Sequence, residues 1–290
     1  MKVDGKLIAE SILKNLKREV SSLKKQKVTP HLAIILIGHN HASLSYVNQK
    51  KQKAELIGAK TTIYHFEDDV SLEKIEKLVR KLNNDLKVHG IIIQRPLPPH
   101  IGEEFARNIV TKEKDVDGFL PNSRFDEPIA EAVLEILKTI FLDVQLKKSQ
   151  EEGLVCKTVT EWLKSKQIVV VGKGDTGGRP VINLFKKMKI EPVVVDSKTP
   201  NPGKIIKSAD ILISTVGKPV IRSNEVKNGA IVIGIGMHKK EESGKLYPDY
   251  DQEEISKIAS YYTPVPGGVG PVNVAILLKN LIFAIDKSRS

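Results

Sequence analysis

The sequence predicts an α/β protein of two α/β domains flanking a cleft, the second built on a doubly wound parallel sheet. Three observations predict it. Short β-branched runs alternate with helical patterns along the chain, as parallel α/β architecture requires. Several of those runs are apolar at every position, which is how strands covered on both faces read. The chain has 290 residues, more than one domain of roughly 100 to 200 residues.

In chain order, MKVDGKLIAESILKNLK carries Asp4 and then Ile8, Ile12 and Leu16 at helical spacing, a pattern of an amphipathic helix and not of a secretory signal. Three β-branched runs follow: LAIILIG (32–38), TTIYHF (61–66) and GIIIQ (90–94). HNH (39–41) reads as a loop, and the stretch from about Leu44 to Ile57 as a helix. After GIIIQ, Pro96, Pro98 and Pro99 cannot donate ladder hydrogen bonds and hold the chain extended, so the sheet stops at about Gln94. An amide side chain is thereby left at a strand's carboxyl end, where open α/β sheets bind ligands. A helical region and the polar stretch KKSQEEG (147–153) separate these runs from four more: QIVVV (167–171), EPVVVD (191–196), DILISTVG (210–217) and AIVIGIG (230–236). From Pro271 to Ile285, Val274, Leu277, Leu278, Leu281, Ile282 and Ile285 form one helical stripe.

Composition excludes several classes. A single cysteine, Cys156, allows no internal disulfide and no cysteine-cluster metal site, and suits a reducing compartment. No apolar run approaches the ~18 residues of a membrane span. The formal charge of +11 is spread over many surface-like helical stretches, and six tyrosines with seven phenylalanines give little to stack bases on. A solvated lysine-rich surface accounts for it, and the same field suits an acidic small substrate. No H-x-x-x-H pair, G-x-S-x-G elbow or Walker lysine loop is present, so no metal site and no serine nucleophile are expected.

Four motifs carry chemistry. In VVVGKGDTGGRPV (169–181), Gly172, Gly174 and Gly177 satisfy G-x-G-x-x-G directly after a strand, with Pro180 in the first turn of the next helix and Val181, Leu184, Phe185 and Met188 on its inner face. Such glycines let backbone approach a pyrophosphate at a helix amino terminus. Asp196 ends the next strand, nineteen residues after Gly177. The order is that of a Rossmann-type domain binding NAD(P). Asp196 favours the free ribose of NAD, while Ser197 and Lys198 favour the ribose phosphate of NADP. The second motif is SYVNQKKQK (45–53), in which Tyr46, Lys50 and Lys53 share a helical face. In the third, EKDVDGF, Asp115 and Asp117 point the same way if the chain is extended, and Gly118 permits a turn. The fourth, TPVPGGVGPVN (263–273), concentrates proline and glycine ahead of the last helix, as a close backbone approach to a ligand demands.

Together these segments resemble the bifunctional methylenetetrahydrofolate dehydrogenase/methenyltetrahydrofolate cyclohydrolase family, often called FolD. The likeness rests on DGKLIAE, ASLSYVNQK, HGIIIQRPLP, EKDVDGF, the glycine loop, TVGKP (215–219) and TPVPGGVGP, in that order. It implies NAD(P)-dependent oxidation of methylenetetrahydrofolate and hydration of the resulting methenyl cation to formyltetrahydrofolate, both in one cleft. It implies Lys50, Tyr46, Gln94 and Asp117 as catalytic residues, with Lys50 as general acid/base. Pro96, Leu97, Pro266, Gly267 and Gly268 would join them in binding folate. Gly172, Lys173, Gly174, Asp175, Gly177, Gly178, Asp196, Ser197, Lys198, Val216 and Gly217 would bind NADP or NAD. The implied domains are 1–140, completed by the helix 270–290, and a Rossmann-type domain of 141–269. The partner is a folate, with or without a polyglutamate tail, and neither nucleic acid nor membrane; the expected state is a cytoplasmic homodimer.

The chemistry fits those residue types. Hydrating an amidinium carbon needs a proton taken from water and later given to the departing nitrogen, and a lysine does both only where desolvation or a nearby cation lowers its pKa. Gln94 would orient that lysine and Asp117 would hold the donor-rich edge of a pterin. Some positions depart from the family pattern. EPIAEAVLEIL (127–137) replaces a proline- and cysteine-bearing wall, Gly172-Lys173-Gly174 replaces Gly-Arg-Ser, Gly234 stands for an aspartate, Arg95 stands for an apolar residue, and residues from about Lys147 to Lys166 look like extra length. Two rivals make other demands: a shikimate- or amino-acid-type dehydrogenase would have no use for TPVPGGVGP, and an RNA-binding protein would show steep salt dependence.

Overall fold

The computed structural model describes residues 1–148, 158–239 and 245–286. Cys156 and most of the polar stretch after Lys147 lie outside the described residues. The chain forms two compact units, one of Ala9–Pro128 with Val274–Ser290, the other of Met1–Ile8 with Ile129–Asn273.

The first unit contains most of α1 (Gly5–Lys25), then β1 (His31–Ile37), α2 (His41–Ile57), β2 (Lys60–Phe66), α3 (Leu72–Asn84), β3 (Gly90–Ile93) and α4 (Glu103–Asn108). Its sheet has the order β2-β1-β3, all parallel. Every residue of β1 and β3 is buried, and the two faces pack into separate cores, one around Leu32, Ile34, Leu36 and Ile92, the other around Ala33, Ile35, Ile91 and Ile93. Continuous apolar runs are therefore what the two covered faces demand. The ladder ends where the prolines begin: the Gln94 amide still donates to Ile35 O at 2.8 Å, and no strand residue follows. The outer edge of β3 is lined by the segment around residue 115, through Ile91 N–H donating to Lys114 O at 2.9 Å, and Asn280 Nδ2 holds Val116 O at 3.0 Å.

The second unit takes α5 (Pro128–Lys148), α6 (Val159–Lys164), β4 (Ile168–Val171), α7 (Gly178–Lys187), β5 (Val193–Val195), α8 (Pro202–Ser208), β6 (Ile211–Ser214), β7 (Ile231–Gly234), β8 (Met237–Lys239), β9 (Leu246–Pro248), α9 (Gln252–Ile258) and β10 (Tyr261–Tyr262); α10 (Val269–Asp286) begins in it. Its main sheet runs β10-β7-β6-β4-β5, all parallel. Counted within the unit this is the doubly wound order 2-1-3-4-5, whose reversal falls between β4 and β6.

Four details differ from the sequence reading. The division at residues 128 and 129 replaces one at 140, because α5 is a single helix from Pro128 with no break there. HNH is not wholly a loop: Asn40 caps α2, accepting from Ser43 N at 3.0 Å, and His41 is already helical. α10 starts at Val269, before Pro271. Asp115 and Asp117 lie in a turn and not on extended chain.

Candidate active site

In the first unit the sheet order reverses at β1, between the loops that leave β1 and β3. Lys50 comes to that place from α2, whose Asn40 cap and buried Ser43, Val47, Lys50, Ala54 and Ile57 fix its inner face. Lys50 is 4% exposed. Its Nζ donates to Gln94 Oε1 at 3.0 Å and sits 5.2 Å from the Tyr46 ring centroid. Gln94 cannot turn freely, because its Nε2 donates to Arg95 O at 2.8 Å and so leaves Oε1 for the lysine. Burial pushes the Lys50 ammonium below the usual lysine range; the charge of Asp117 opposes that push and the charge of Arg95 adds to it.

Asp115 builds the turn that presents Asp117. Buried itself, it accepts from Phe119 N at 3.2 Å and Leu120 N at 3.0 Å, and loss of water raises its carboxyl above the ordinary value. Lys50, Gln94, Tyr46 and Asp117 are thus brought together in one unit. Lys53, on the same helical face by spacing, is only half-buried. Leu97 packs at the edge of the core around Ile93, and Pro96 is exposed. The Arg95–Pro96 peptide is cis.

In the second unit the glycine loop follows β4 and the TVGKP loop follows β6, one on each side of the reversal in strand order, where doubly wound sheets bind ligands. The two loops touch. Gly172 has φ +96°, and a Cβ there would meet Thr215 Oγ1; one on Gly178 would meet the Gly172 carbonyl carbon at 2.6 Å. Beside Gly174 a Cβ would find nothing within 4 Å. Close packing on one flank and open space on the other is the shape a pyrophosphate needs, above the amino terminus of α7. At the end of β5, Lys173 pairs with Asp196 Oδ2 at 2.6 Å, while Lys198 N and Thr199 Oγ1 donate to Oδ1. These partners, Lys173 first, pull the Asp196 carboxyl down to about 2. Ser197 and the Lys198 side chain are exposed, and Asp175 pairs with Arg179 at 2.8 Å.

Sequence reasoning passed over the group that shapes the TVGKP loop. Asp249 is fully buried, and its two oxygens accept from Ser214 Oγ and from the backbone amides of Val216 at 2.8 Å, Gly217 at 2.8 Å and Lys218 at 3.0 Å. The TVGKP motif marked that loop in advance but not the carboxylate that holds it, and Gly217 turns the chain there at φ +74°. The TPVPGG stretch is pinned likewise: Tyr250 Oη donates to Thr263 O at 2.6 Å, and Gln252 exchanges hydrogen bonds with the backbone of Val265. Tyr250 also fills the space beside Gly234, where a Cβ would meet its ring at 2.9 Å. Gly267 has φ +107°, and a Cβ on Gly5 would collide with the carbonyl of Gly268, so DGK and TPVPGG meet backbone against backbone.

Comparison with known proteins gives these features a context. Residues 3–117 match the domain described as tetrahydrofolate dehydrogenase/cyclohydrolase, catalytic domain, and residues 154–289 match tetrahydrofolate dehydrogenase/cyclohydrolase, NAD(P)-binding domain. The chain is 36% identical over 290 residues to the bifunctional protein FolD of Ligilactobacillus salivarius, covering 99% of this chain and 97% of that protein. Among solved structures it resembles the bifunctional FolD methylenetetrahydrofolate dehydrogenase/cyclohydrolase of Campylobacter jejuni, at 33% identity and TM-score 0.88 over 99% of both chains. A second is the FolD of Trypanosoma brucei, solved with NADP and an inhibitor, at 32% identity and TM-score 0.87 over 100% of this chain and 98% of that one.

Proposed function

The chain belongs to the tetrahydrofolate dehydrogenase/cyclohydrolase family, and from that premise we propose that it oxidises methylenetetrahydrofolate with NAD or NADP and hydrolyses the methenyl product to formyltetrahydrofolate. The observation that carries the reading is Lys50, a buried amine held by Gln94 within reach of the Asp117 charge. A bound nicotinamide nucleotide supplies the hydride acceptor. Gly172, Gly174, Gly177 and Gly178 would hold its pyrophosphate, Asp196, Ser197 and Lys198 its adenosine ribose, and Val216 with Gly217 its nicotinamide end. Lys173 and Asp175 border that loop.

Lys50 does the proton work. As the free amine it takes a proton from the water that adds to the methenyl carbon, and as the ammonium it returns that proton to the nitrogen that leaves. A cationic substrate beside it favours the free amine further. Gln94 keeps Nζ aimed, Tyr46 lines the same face, and Asp117 accepts from the amino and ring N–H groups of the pterin. Pro96, Leu97, Pro266, Gly267 and Gly268 would shape the folate pocket. The domain roles follow: folate binding belongs chiefly to the unit that carries Lys50, Gln94 and Asp117, and nucleotide binding to the unit that carries the glycine loop.

A reducing compartment suits a chain with one cysteine, and no helix among the described residues is long and apolar enough to cross a membrane; the reading places the enzyme in the cytoplasm, as a homodimer, acting on a folate with or without a polyglutamate tail and on no nucleic acid. The test is a spectrophotometric assay with methylenetetrahydrofolate and each nucleotide in turn, following reduced nicotinamide and methenyl absorbance separately. Reduced nicotinamide should form with at least one nucleotide, and methenyltetrahydrofolate should disappear without any; the absence of either signal would overturn the proposal.

A further inference from the structure

Arg95 adjoins Gln94, yet the mechanism above gives it no part. Its side chain is 9% exposed. Cζ lies 3.5 Å from the centroid of the Phe119 ring, and Nε donates to Glu103 Oε2 at 2.7 Å. The head is therefore clamped between a ring from the 115–120 turn and a carboxylate of α4. Nη2 is buried and has no hydrogen-bond partner among the described residues. Burying a guanidinium and leaving one of its donors unmet costs free energy, so a fold that keeps one here keeps it for something other than packing. The main chain of the same residue serves the site already: Arg95 O accepts from Gln94 Nε2 and from Ser43 Oγ at 3.3 Å.

We propose that Arg95 is a positioning residue for the chemistry at Lys50, a fixed positive charge that disfavours a second positive charge on the neighbouring amine. The proposal rests on the reading that Lys50 carries the proton. Among the described residues, the polar and charged groups around Lys50 are Tyr46 from its own helix, Arg95 from the end of β3, Asp117 from the turn, and Glu103 through Arg95. Asp117 and Arg95 act in opposite senses on the amine. Once Asp117 is engaged by a donor-rich substrate, its charge is matched there and the field of Arg95 prevails. Glu103 is 44% exposed, so solvent screens its charge more than that of the buried arginine.

The experiment compares Arg95→Leu and Arg95→Lys by the pH dependence of kcat for methenyltetrahydrofolate hydrolysis, measured without nucleotide, with thermal midpoints recorded on the same samples. Removing the charge should move the acid limb upward by about one unit, and the lysine variant should keep the limb near that of the wild type. An unmoved limb in Arg95→Leu, or an equal shift in both variants, would overturn the proposal. Should the leucine variant fail to fold, Arg95→Gln, planar and uncharged, takes its place with the same two outcomes. Lys50→Met keeps the tests apart: hydrolysis that survives it sinks the role of Lys50 itself, whereas an unmoved limb in the arginine variants sinks only Arg95.

Discussion

Lys50 owes its chemistry to what packs against it. In sequence it is one lysine among several on α2, and helical spacing places Tyr46, Lys50 and Lys53 together without saying which of them loses water. Burial is decided by the end of β3, where the prolines stop the ladder and leave Gln94 to meet the amine; that long-range meeting is invisible in local periodicity. Lys50→Met should lower hydrolysis of methenyltetrahydrofolate by about 10²- to 10⁴-fold while folate and nucleotide still bind. Its stability has a sign of its own. Because the folded-state pKa of Lys50 lies below the unfolded value, near 10.4 in free lysine, holding the proton costs more in the native state than in the unfolded chain, and the native state is penalised at neutral pH. The penalty fades as pH rises toward the unfolded pKa. The methionine variant should therefore match or exceed wild type in urea midpoint at pH 7 and lose that advantage at about pH 10. Unchanged hydrolysis would refute the role; a lower midpoint at pH 7 would refute the electrostatic account.

Among the elements, the seven β-branched runs became β1 to β7; β1, β3, β4, β6 and β7 are buried at every position, which leaves an unbroken apolar trace, while the edge strands β2 and β5 are only partly buried and show through their β-branched residues. β8, β9 and β10 left none. They are two or three residues long, and the β8–β9 hairpin, Met237–Lys239 on Leu246–Pro248, includes charged and polar positions that resemble a loop. Yet that hairpin leads directly into Asp249, and Asp249 sets the shape of the loop after β6. Three consecutive amides and a hydroxyl converge on one carboxylate, an arrangement that needs acceptors on both oxygens. Asp249→Asn turns one oxygen into a donor facing the Ser214 hydroxyl and the Val216 N–H. The lost bonds and the opposed donors should cost about 2 kcal/mol or more in equilibrium unfolding, and nucleotide affinity should fall with the loop's order. Stability within error of wild type would mean that the loop holds its path without the carboxylate. Turn chemistry was more legible: Gly172 and Gly217 stand at positive φ, and the glycine motif pointed to both the strand before it and the helix after it.

At the scale of the whole molecule, each unit places its candidate residues at the reversal point of its own parallel sheet, β2-β1-β3 in one and β10-β7-β6-β4-β5 in the other. The sequence announced the two sheets but not where the chain divides, because α5 runs unbroken through residue 140 and α10 begins in one unit and ends in the other. The division has a chemical corollary. Lys50, Gln94, Tyr46, Asp117 and Arg95 all belong to one unit, and the glycine and TVGKP loops to the other. Hydration of the methenyl carbon transfers only protons, whereas oxidation of the methylene bridge also needs a hydride acceptor, so damage confined to the nucleotide loop should separate the activities. Gly174→Asp is the suitable change. Its Cβ meets no atom within 4 Å and its φ is not positive, so the fold should tolerate it, while a carboxylate there repels a pyrophosphate at the amino terminus of α7. Dehydrogenase turnover should fall by about 10²-fold or more, an increment that like charges at close range readily supply, and hydrolysis of methenyltetrahydrofolate should remain within about twofold, inside the ±0.5 kcal/mol typical of an exposed substitution. Nucleotide binding, titrated by fluorescence, should weaken in parallel with the dehydrogenase. Parallel loss of both activities with an unchanged thermal midpoint would show that the two steps draw on the nucleotide loop alike, and the assignment of each reaction to its own set of residues would fall.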